Sequence, residues 1–129
     1  AALSLGDRAV FTGYREDVAA VMAAMDLMLH PAEEEPLGRA VLEAMSLGVP
    51  CVAADACGPA EIIEDGISGI LTPPGDAQAM AARAVELLSR PGGVQRMGEA
   101  AMRRVETAFS AERMARLTED VYEEALARV

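Results

Sequence analysis

The amino-acid sequence predicts an α/β fold, with a Rossmann-like parallel sheet and flanking helices. Short apolar runs alternate with longer amphipathic ones through most of the chain, which is the pattern of parallel βαβ units. The short runs are apolar at successive positions, as strands that are buried on both faces must be. A length of 129 residues fits one domain, which we assign to residues 1–129.

Four strands are predicted, and proline or glycine bounds most of them. They cover residues 10–13, 27–30, 50–54 and 69–72. A doubly wound sheet commonly has about five or six strands, and the chain does not begin with methionine. We therefore expect one or two βα units before Ala1, so that the domain is incomplete at its N-terminus. An oligomer is another way to cover the incomplete sheet.

Three helices are predicted between the strands, over residues 17–25, 38–47 and 59–64. Asp17 is placed as an N-cap and Gly48 as the residue after a helix end. Proline is favourable in the first turn of the third helix.

The chain after the fourth strand is predicted to be helical. Asp76 caps a helix to about Ser89, whose apolar stripe is Ala81, Ala84, Val85 and Leu88. Two further helices are predicted, over residues 94–107 and from Ser110 to about residue 128. The stripe of the last helix consists of Met114, Leu117, Val121 and Ala125. This end of the chain is expected either to cover a face of the sheet or to reach across to another domain.

Charge and composition exclude several classes of function. A formal net charge of −10 argues against nonspecific nucleic-acid binding, which needs a basic surface. An anionic ligand would need local donors such as helix N-termini, or basic residues outside the chain. Cys51 and Cys57 lack the spacing of a zinc site, so we expect reduced thiols in a cytoplasmic protein. No run reaches the roughly 18 apolar residues of a membrane span, and peripheral membrane contact is expected only through a missing domain.

The loop after the second predicted strand carries the candidate site. Ligands of open α/β sheets bind beyond the carboxyl ends of the strands, where residues 30–38 lead into a predicted helix. A helix start presents unpaired N–H groups and the positive end of the dipole. Gly38 leaves room for a close approach, so the amides of Leu37, Gly38 and Arg39 are candidates to hold a phosphate.

Two carboxylates flank this helix start. Glu35 precedes the helix and Glu43 lies eight residues later, within it. A helical spacing of that size is about 12 Å, close to the span of a nucleotide sugar from ribose to hexose. Carboxylates accept hydrogen bonds and suit vicinal hydroxyls. The spacing fits a ligand that has hydroxyls at both ends and a diphosphate between them.

The run from Glu35 to Met45 resembles the E-x7-E motif of GT4-type (group 1) retaining glycosyltransferases. The resemblance extends in order over most of the chain, through residues 10–18, 48–52, 58–63 and 65–76. Enzymes of this family have the GT-B fold, in which two Rossmann-like domains face a cleft. The chain resembles the C-terminal of these domains, which binds the sugar nucleotide.

The resemblance implies a role for each candidate residue. Glu35 would be the catalytic-site residue at the hydroxyls of the transferred sugar, and Glu43 would hold the ribose. Diphosphate would bind the amides of Leu37, Gly38 and Arg39, and the base would lie near the loop Gly13-Tyr14-Arg15. The donor would be a UDP-, GDP- or ADP-sugar and the acceptor is unknown. Transfer is expected with retention, without a protein nucleophile, a cofactor or a required metal.

Departures from the family pattern limit these roles. Ala32 stands where many members have serine, and Leu37 where they have an aromatic residue. The acidic neighbours of Glu35 leave an ambiguity of one residue, although the offset to Glu43 favours Glu35. The family's arginine and lysine at the diphosphate belong to a segment before Ala1, so this chain alone is expected to be inactive.

Alternative interpretations of the function and of two residues stay open. The alternative function is a non-catalytic nucleotide-sugar-binding or interaction module of the same fold. A different nucleotide-binding enzyme would need a G-x-G-x-x-G loop, which the sequence lacks. Arg15 is equally suited to pair with a neighbouring acid. His30, the only histidine, is expected to be a hydrogen-bonded structural group.

Overall fold

Three parallel strands form the sheet in a computed structural model that describes residues 4–128. The strands are β1 (Met28–His30), β2 (Cys51–Ala54) and β3 (Ile70–Thr72), and their order in the sheet follows the chain. Leu29 lies opposite Val52, and Val52 lies opposite Ile70. The predicted parallel α/β fold is confirmed. Residues 1–3 and 129 of the predicted domain lie outside the described residues.

Helices flank both faces of this sheet. One face carries α1 (Val18–Ala23), α2 (Arg39–Ser46) and α3 (Cys57–Ile62), and the other carries α4 (Ala77–Ser89). Because the strands are neighbours in chain order, right-handed crossovers put α2 and α3 on the same side.

Two more helices complete the described chain. Helix α5 (Gly93–Ala108) packs against α2 and α4, and α6 (Ala111–Ala127) follows it. No helix of the described residues is long and apolar enough to cross a membrane.

The central strand β2 joins the two halves of the core. All four of its residues are buried. Cys51 and Ala53 pack with α2, whereas Val52 packs with Met80 and Leu87 of α4. Burial on both faces is the physical reason that this run is apolar at every position.

The predicted strand over residues 10–13 is wrong, since the structure has no strand there. Val10 is 78% exposed and Phe11 is 98% exposed. A strand is stable only when its amides pair and its side chains are covered, and the described chain provides neither for this segment. The sheet of residues 4–128 therefore has three strands instead of four.

The apolar stripes of the later helices also differ from prediction. Val85 and Leu88 are more than half exposed, whereas Met80, Ala84 and Leu87 are buried. The predicted stripe and the buried stripe both follow the helical period and share Ala84. The side chains that pack into the core are those of the stripe that contains Met80. The stripe of α6 is exposed at Met114, Leu117 and Val121, so this helix covers no face of the sheet among the described residues.

Most predicted helix ends are confirmed. Asp76 caps α4 by accepting a hydrogen bond from the Ala79 amide at 2.8 Å, and Gly48 follows α2 with a φ of +75°. Asp17 precedes α1, but its carboxylate makes no cap hydrogen bond. Helix α3 begins and ends two residues earlier than predicted, at Cys57 and Ile62, and α1 ends two residues early, at Ala23.

Candidate functional site

Gly38 shapes the start of α2, where the candidate site was predicted. Its φ is +84°, a left-handed conformation that glycine adopts without steric cost. A Cβ on this residue would lie 3.4 Å from the side chains of Pro59 and Ile62. The backbone conformation therefore favours glycine here, whereas the added Cβ would make only an ordinary van der Waals contact with α3.

The carboxylate of Glu35 accepts hydrogen bonds from the amides of the two residues that directly precede α2. Its Oε1 accepts hydrogen bonds from the N–H groups of Gly38 at 2.9 Å and Leu37 at 3.4 Å. These two amides, together with the smaller effect of His30, hold the pKa of Glu35 below its ordinary value. The helix start therefore acts as a receptor for an anion, and a carboxylate of the same chain occupies it.

His30 is the last residue of β1 and directly precedes this loop. Its side chain is 13% exposed, and its Nε2 is 4.0 Å from Glu35 Oε2. That Nε2 is buried and has no hydrogen-bond partner among the described residues. The expectation of a hydrogen-bonded structural histidine is therefore wrong for this atom.

Helix α3 holds the backbone of the same loop. The amide of Gly58 donates a hydrogen bond to the carbonyl oxygen of Glu35 at 3.0 Å. A Cβ on Gly58 would lie 2.6 Å from Leu37 Cα, and closer still to the carbonyl group of that residue. Sequence reasoning did not foresee this contact, and its only signal was the glycine of the G-x-x-E resemblance.

Cys57, next to Gly58, has a φ of +49°. Its thiol lies 3.7 Å from the carbonyl oxygen of Glu33. A left-handed conformation costs a residue with a side chain about 1–2 kcal/mol, so the start of α3 is strained where it meets the loop. The sequence carries no sign of this strain.

Glu43 lies one turn along α2 from Arg39, and the two side chains form an ion pair at 3.5 Å. Arg39 is 82% exposed and Glu43 is 50% exposed, so this pair contributes little to stability. Glu43 also borders a groove of about 310 Å³ between α1 and α2, which is lined by Val18, Met22 and Leu47. The carboxylate is therefore open to solvent and adjoins an apolar surface.

The loop Gly13-Tyr14-Arg15 precedes α1 and is exposed at its aromatic side chain. Tyr14 is 92% exposed, and Arg15 forms an ion pair with Asp17, which holds the pKa of that carboxyl below its ordinary value. The reading of Arg15 as the partner of a neighbouring acid is thus confirmed. In residues 4–128 no hydrogen bond or ion pair joins this loop to α2, and α1, which follows the loop, packs against α2.

A second cavity, of about 380 Å³, opens on the α4 face of the sheet. The ends of the strands line it through Leu29, Ala54 and Pro73, and Met80 of α4 closes its side. It does not contain Glu35 or Glu43. Within the described ranges, no three side chains of histidine, cysteine, aspartate or glutamate are grouped to hold a metal ion.

Relatives by sequence are glycosyltransferases. A family profile described as "Glycosyl transferases group 1" matches residues 1–90. N-acetyl-alpha-D-glucosaminyl L-malate synthase of Bacillus anthracis is 36% identical over 124 residues, which cover 96% of this chain and 32% of that protein. MMP alpha-(1->4)-mannosyltransferase of Mycolicibacterium hassiacum is 34% identical over 115 residues, which cover 88% of this chain and 28% of that protein.

The chain is also similar in fold and sequence to solved structures. Anabaena HepE in complex with UDP-glucose has a TM-score of 0.84 and 32% identity, over 95% of this chain and 34% of that chain. Sucrose-phosphate synthase of Thermosynechococcus elongatus has a TM-score of 0.86 and 30% identity, over 97% of this chain and 32% of that chain. The chain thus spans about a third of the length of these relatives.

Proposed function

We propose, from the premise that the chain belongs to the group 1 glycosyl transferase family, that it binds the nucleotide-sugar donor of a glycosyltransferase. The observation that carries this proposal is the contact of one Glu35 oxygen with the amides of Leu37 and Gly38. Two convergent N–H groups at the positive end of a helix suit a phosphate oxygen as well as a carboxylate.

The ligand lies along α2 in this proposal. The diphosphate binds the amides of Leu37, Gly38 and Arg39, the transferred sugar lies at Glu35, and the ribose lies at Glu43. The exposure of Glu43 supports its role at the ribose, because a half-exposed carboxylate on the helix surface can accept hydrogen bonds from vicinal hydroxyls.

The base is assigned to the region of Gly13, Tyr14 and Arg15. The groove beside Glu43 supports this assignment, because its α1 wall begins just after that loop. An apolar wall next to a ribose-binding carboxylate suits the flat face of a base.

The reaction is transfer to an acceptor with retention of anomeric configuration, in an enzyme of the GT4 type and GT-B fold. A second domain holds the acceptor, and the enzyme works in the cytoplasm without a required metal. The relation to HepE, whose structure contains UDP-glucose, makes UDP-glucose the first donor to test, followed by GDP- and ADP-sugars.

Ligand-observed NMR on the full-length protein tests this function. Saturation transfer to UDP-, GDP- and ADP-glucose should identify one base that binds. Glu43→Ala should weaken that binding at least about tenfold, since a charged acceptor is lost. Arg39→Ala is the matched control, because it removes the ion-pair partner of Glu43 and keeps the amide of residue 39, so its effect should be small.

Two outcomes would contradict the proposal. One is that none of the three nucleotide sugars binds. The other is that binding occurs with an affinity indifferent to Glu43. Binding without transfer to any acceptor would favour the non-catalytic module of the same fold.

A further inference from the structure

The amides at the helix start have one acceptor in the structure and are assigned a second one by the proposed function. Glu35 Oε1 accepts hydrogen bonds from the amides of Leu37 and Gly38, and the proposed function gives the same amides to the diphosphate. An amide has a single hydrogen, and two anions at one hydrogen repel each other strongly at such distances. The diphosphate and the Glu35 carboxylate therefore cannot occupy this position together.

His30 is placed to receive the displaced carboxylate. Its Nε2 is buried without a partner in the described part of the chain, and it lies 4.0 Å from Glu35 Oε2. A hydrogen bond between a ring N–H and a carboxylate is about 2.8 Å long, so a shift of about 1 Å completes it. A buried polar atom without a hydrogen-bond partner is costly, and in the tautomer with the ring proton on Nε2 this shift removes that cost.

We propose that Glu35 fills the diphosphate position until the donor binds, and that His30 then holds its carboxylate where it meets the sugar hydroxyls. This inference rests on the proposed function and assigns His30 as a positioning residue. The switch is confined to a side chain, because the carbonyl oxygen of Glu35 remains bonded to the Gly58 amide at 3.0 Å.

This switch makes an unusual prediction for Glu35. A residue that only contacts the sugar should matter little to a nucleoside diphosphate without sugar. A residue that blocks the diphosphate position should instead lower the affinity for the nucleoside diphosphate, so its removal should raise that affinity. The Glu35→Ala variant should therefore bind the nucleoside diphosphate more tightly than wild type does. The attached sugar should raise its affinity by a smaller factor than it does in wild type.

The experiment is isothermal titration of the full-length protein with UDP, GDP and ADP, followed by the matching nucleotide sugar. Glu35→Ala should tighten the diphosphate that binds wild type about tenfold, the size of a hydrogen bond to a charged group. Glu34→Ala is the matched control, because it removes the same charge from the same loop without freeing an amide. It should change affinity by less than about twofold, since exposed charges are screened.

A double-mutant cycle tests the part of His30. His30→Leu leaves the displaced carboxylate without a partner, so it should weaken diphosphate binding about threefold in the wild-type background. In the Glu35→Ala background the same substitution should have no effect. His30→Gln keeps a side-chain N–H donor and should restore most of the affinity, which a merely structural histidine would not predict.

The outcomes separate this inference from the proposed function. If no nucleotide binds wild type, both fail. If nucleotide binds and depends on Glu43, but Glu35→Ala tightens the diphosphate no more than Glu34→Ala, only the switch is overturned. An effect of His30→Leu that persists in Glu35→Ala would overturn the role of His30.

Discussion

Replacing Gly58 by alanine should loosen the candidate site from the rest of the domain. Gly58 is buried in α3, where helix propensity alone favours alanine by up to about 1 kcal/mol. The added Cβ, however, would lie 2.6 Å from Leu37 Cα. That distance is on the order of 1 Å too short for two carbon atoms, so the loop of Leu37 must move.

The magnitude follows from three contributions. Overpacking of a tight contact costs about 1–3 kcal/mol. Loss of the hydrogen bond from the Gly58 amide to the Glu35 carbonyl costs about 1 kcal/mol, and the propensity gain offsets about the same amount. The net expectation is a loss of about 2 kcal/mol, which is large against the total stability of a domain.

Urea unfolding of Gly58→Ala, followed by circular dichroism, measures this loss. With an m-value of about 1.5 kcal/mol/M, the midpoint should fall by about 1 M, and nucleotide affinity should fall with it. Gly66→Ala is the control, since its Cβ would meet nothing within 4 Å and its φ is +75°. It should lose only about 1 kcal/mol from backbone strain, with no change in binding. A Gly58→Ala protein as stable as wild type, with unchanged affinity, would refute the reasoning.

Three other predictions address the core and the ionisable groups. Arg104 donates to the carbonyl oxygens of Ile62 and Glu61 at 3.2 and 3.3 Å, so Arg104→Ala should lower the free energy of unfolding by about 2 kcal/mol. Arg104→Lys should recover less than half of this in urea unfolding, because it lacks the guanidinium fork, and full recovery would contradict that geometry. Burial raises the pKa of Cys51 to about 12, so iodoacetamide at about pH 8 should label only Cys57 in the folded protein and both thiols in urea. Labelling of both thiols in the folded protein would be inconsistent with that burial. The folded pKa of Glu35 is below its ordinary 4.5, so its stabilising effect should be complete above that pH and vanish as the pH falls through the folded pKa. Urea titrations of wild type and Glu35→Gln should therefore converge in acid, and a constant difference between them would exclude this linkage.

Local sequence predicted most of the sheet but not all of it. Residues 27–30, 50–54 and 69–72 contain strands, because their apolar runs end at residues that stop a strand. Residues 10–13 carry a similar apolar signal and yet form no strand. Strand formation depends on a neighbouring strand with unpaired backbone groups, and that is a property of the assembled sheet.

In the candidate site, too, the local contacts could be predicted from the sequence and the contacts between distant segments could not. The contact of Glu35 with the amides of Leu37 and Gly38 spans at most three residues, and it follows from the loop and helix start that the sequence predicted. His30 and Gly58 come from β1 and α3, and their approach to the loop depends on how the two crossovers pack. Periodicity and spacing carry no information about such distances.

The two attachments of Glu35 differ in the motion they permit. Its carbonyl is bonded to Gly58 and its carboxylate to Gly38, so the side chain can leave while the backbone stays bonded. A rotamer change of a partly exposed side chain takes picoseconds to nanoseconds, roughly, whereas opening a loop takes nanoseconds to microseconds. Under the proposed function, entry of the donor at this helix start should therefore not be limited by this loop, which has no slow step of its own.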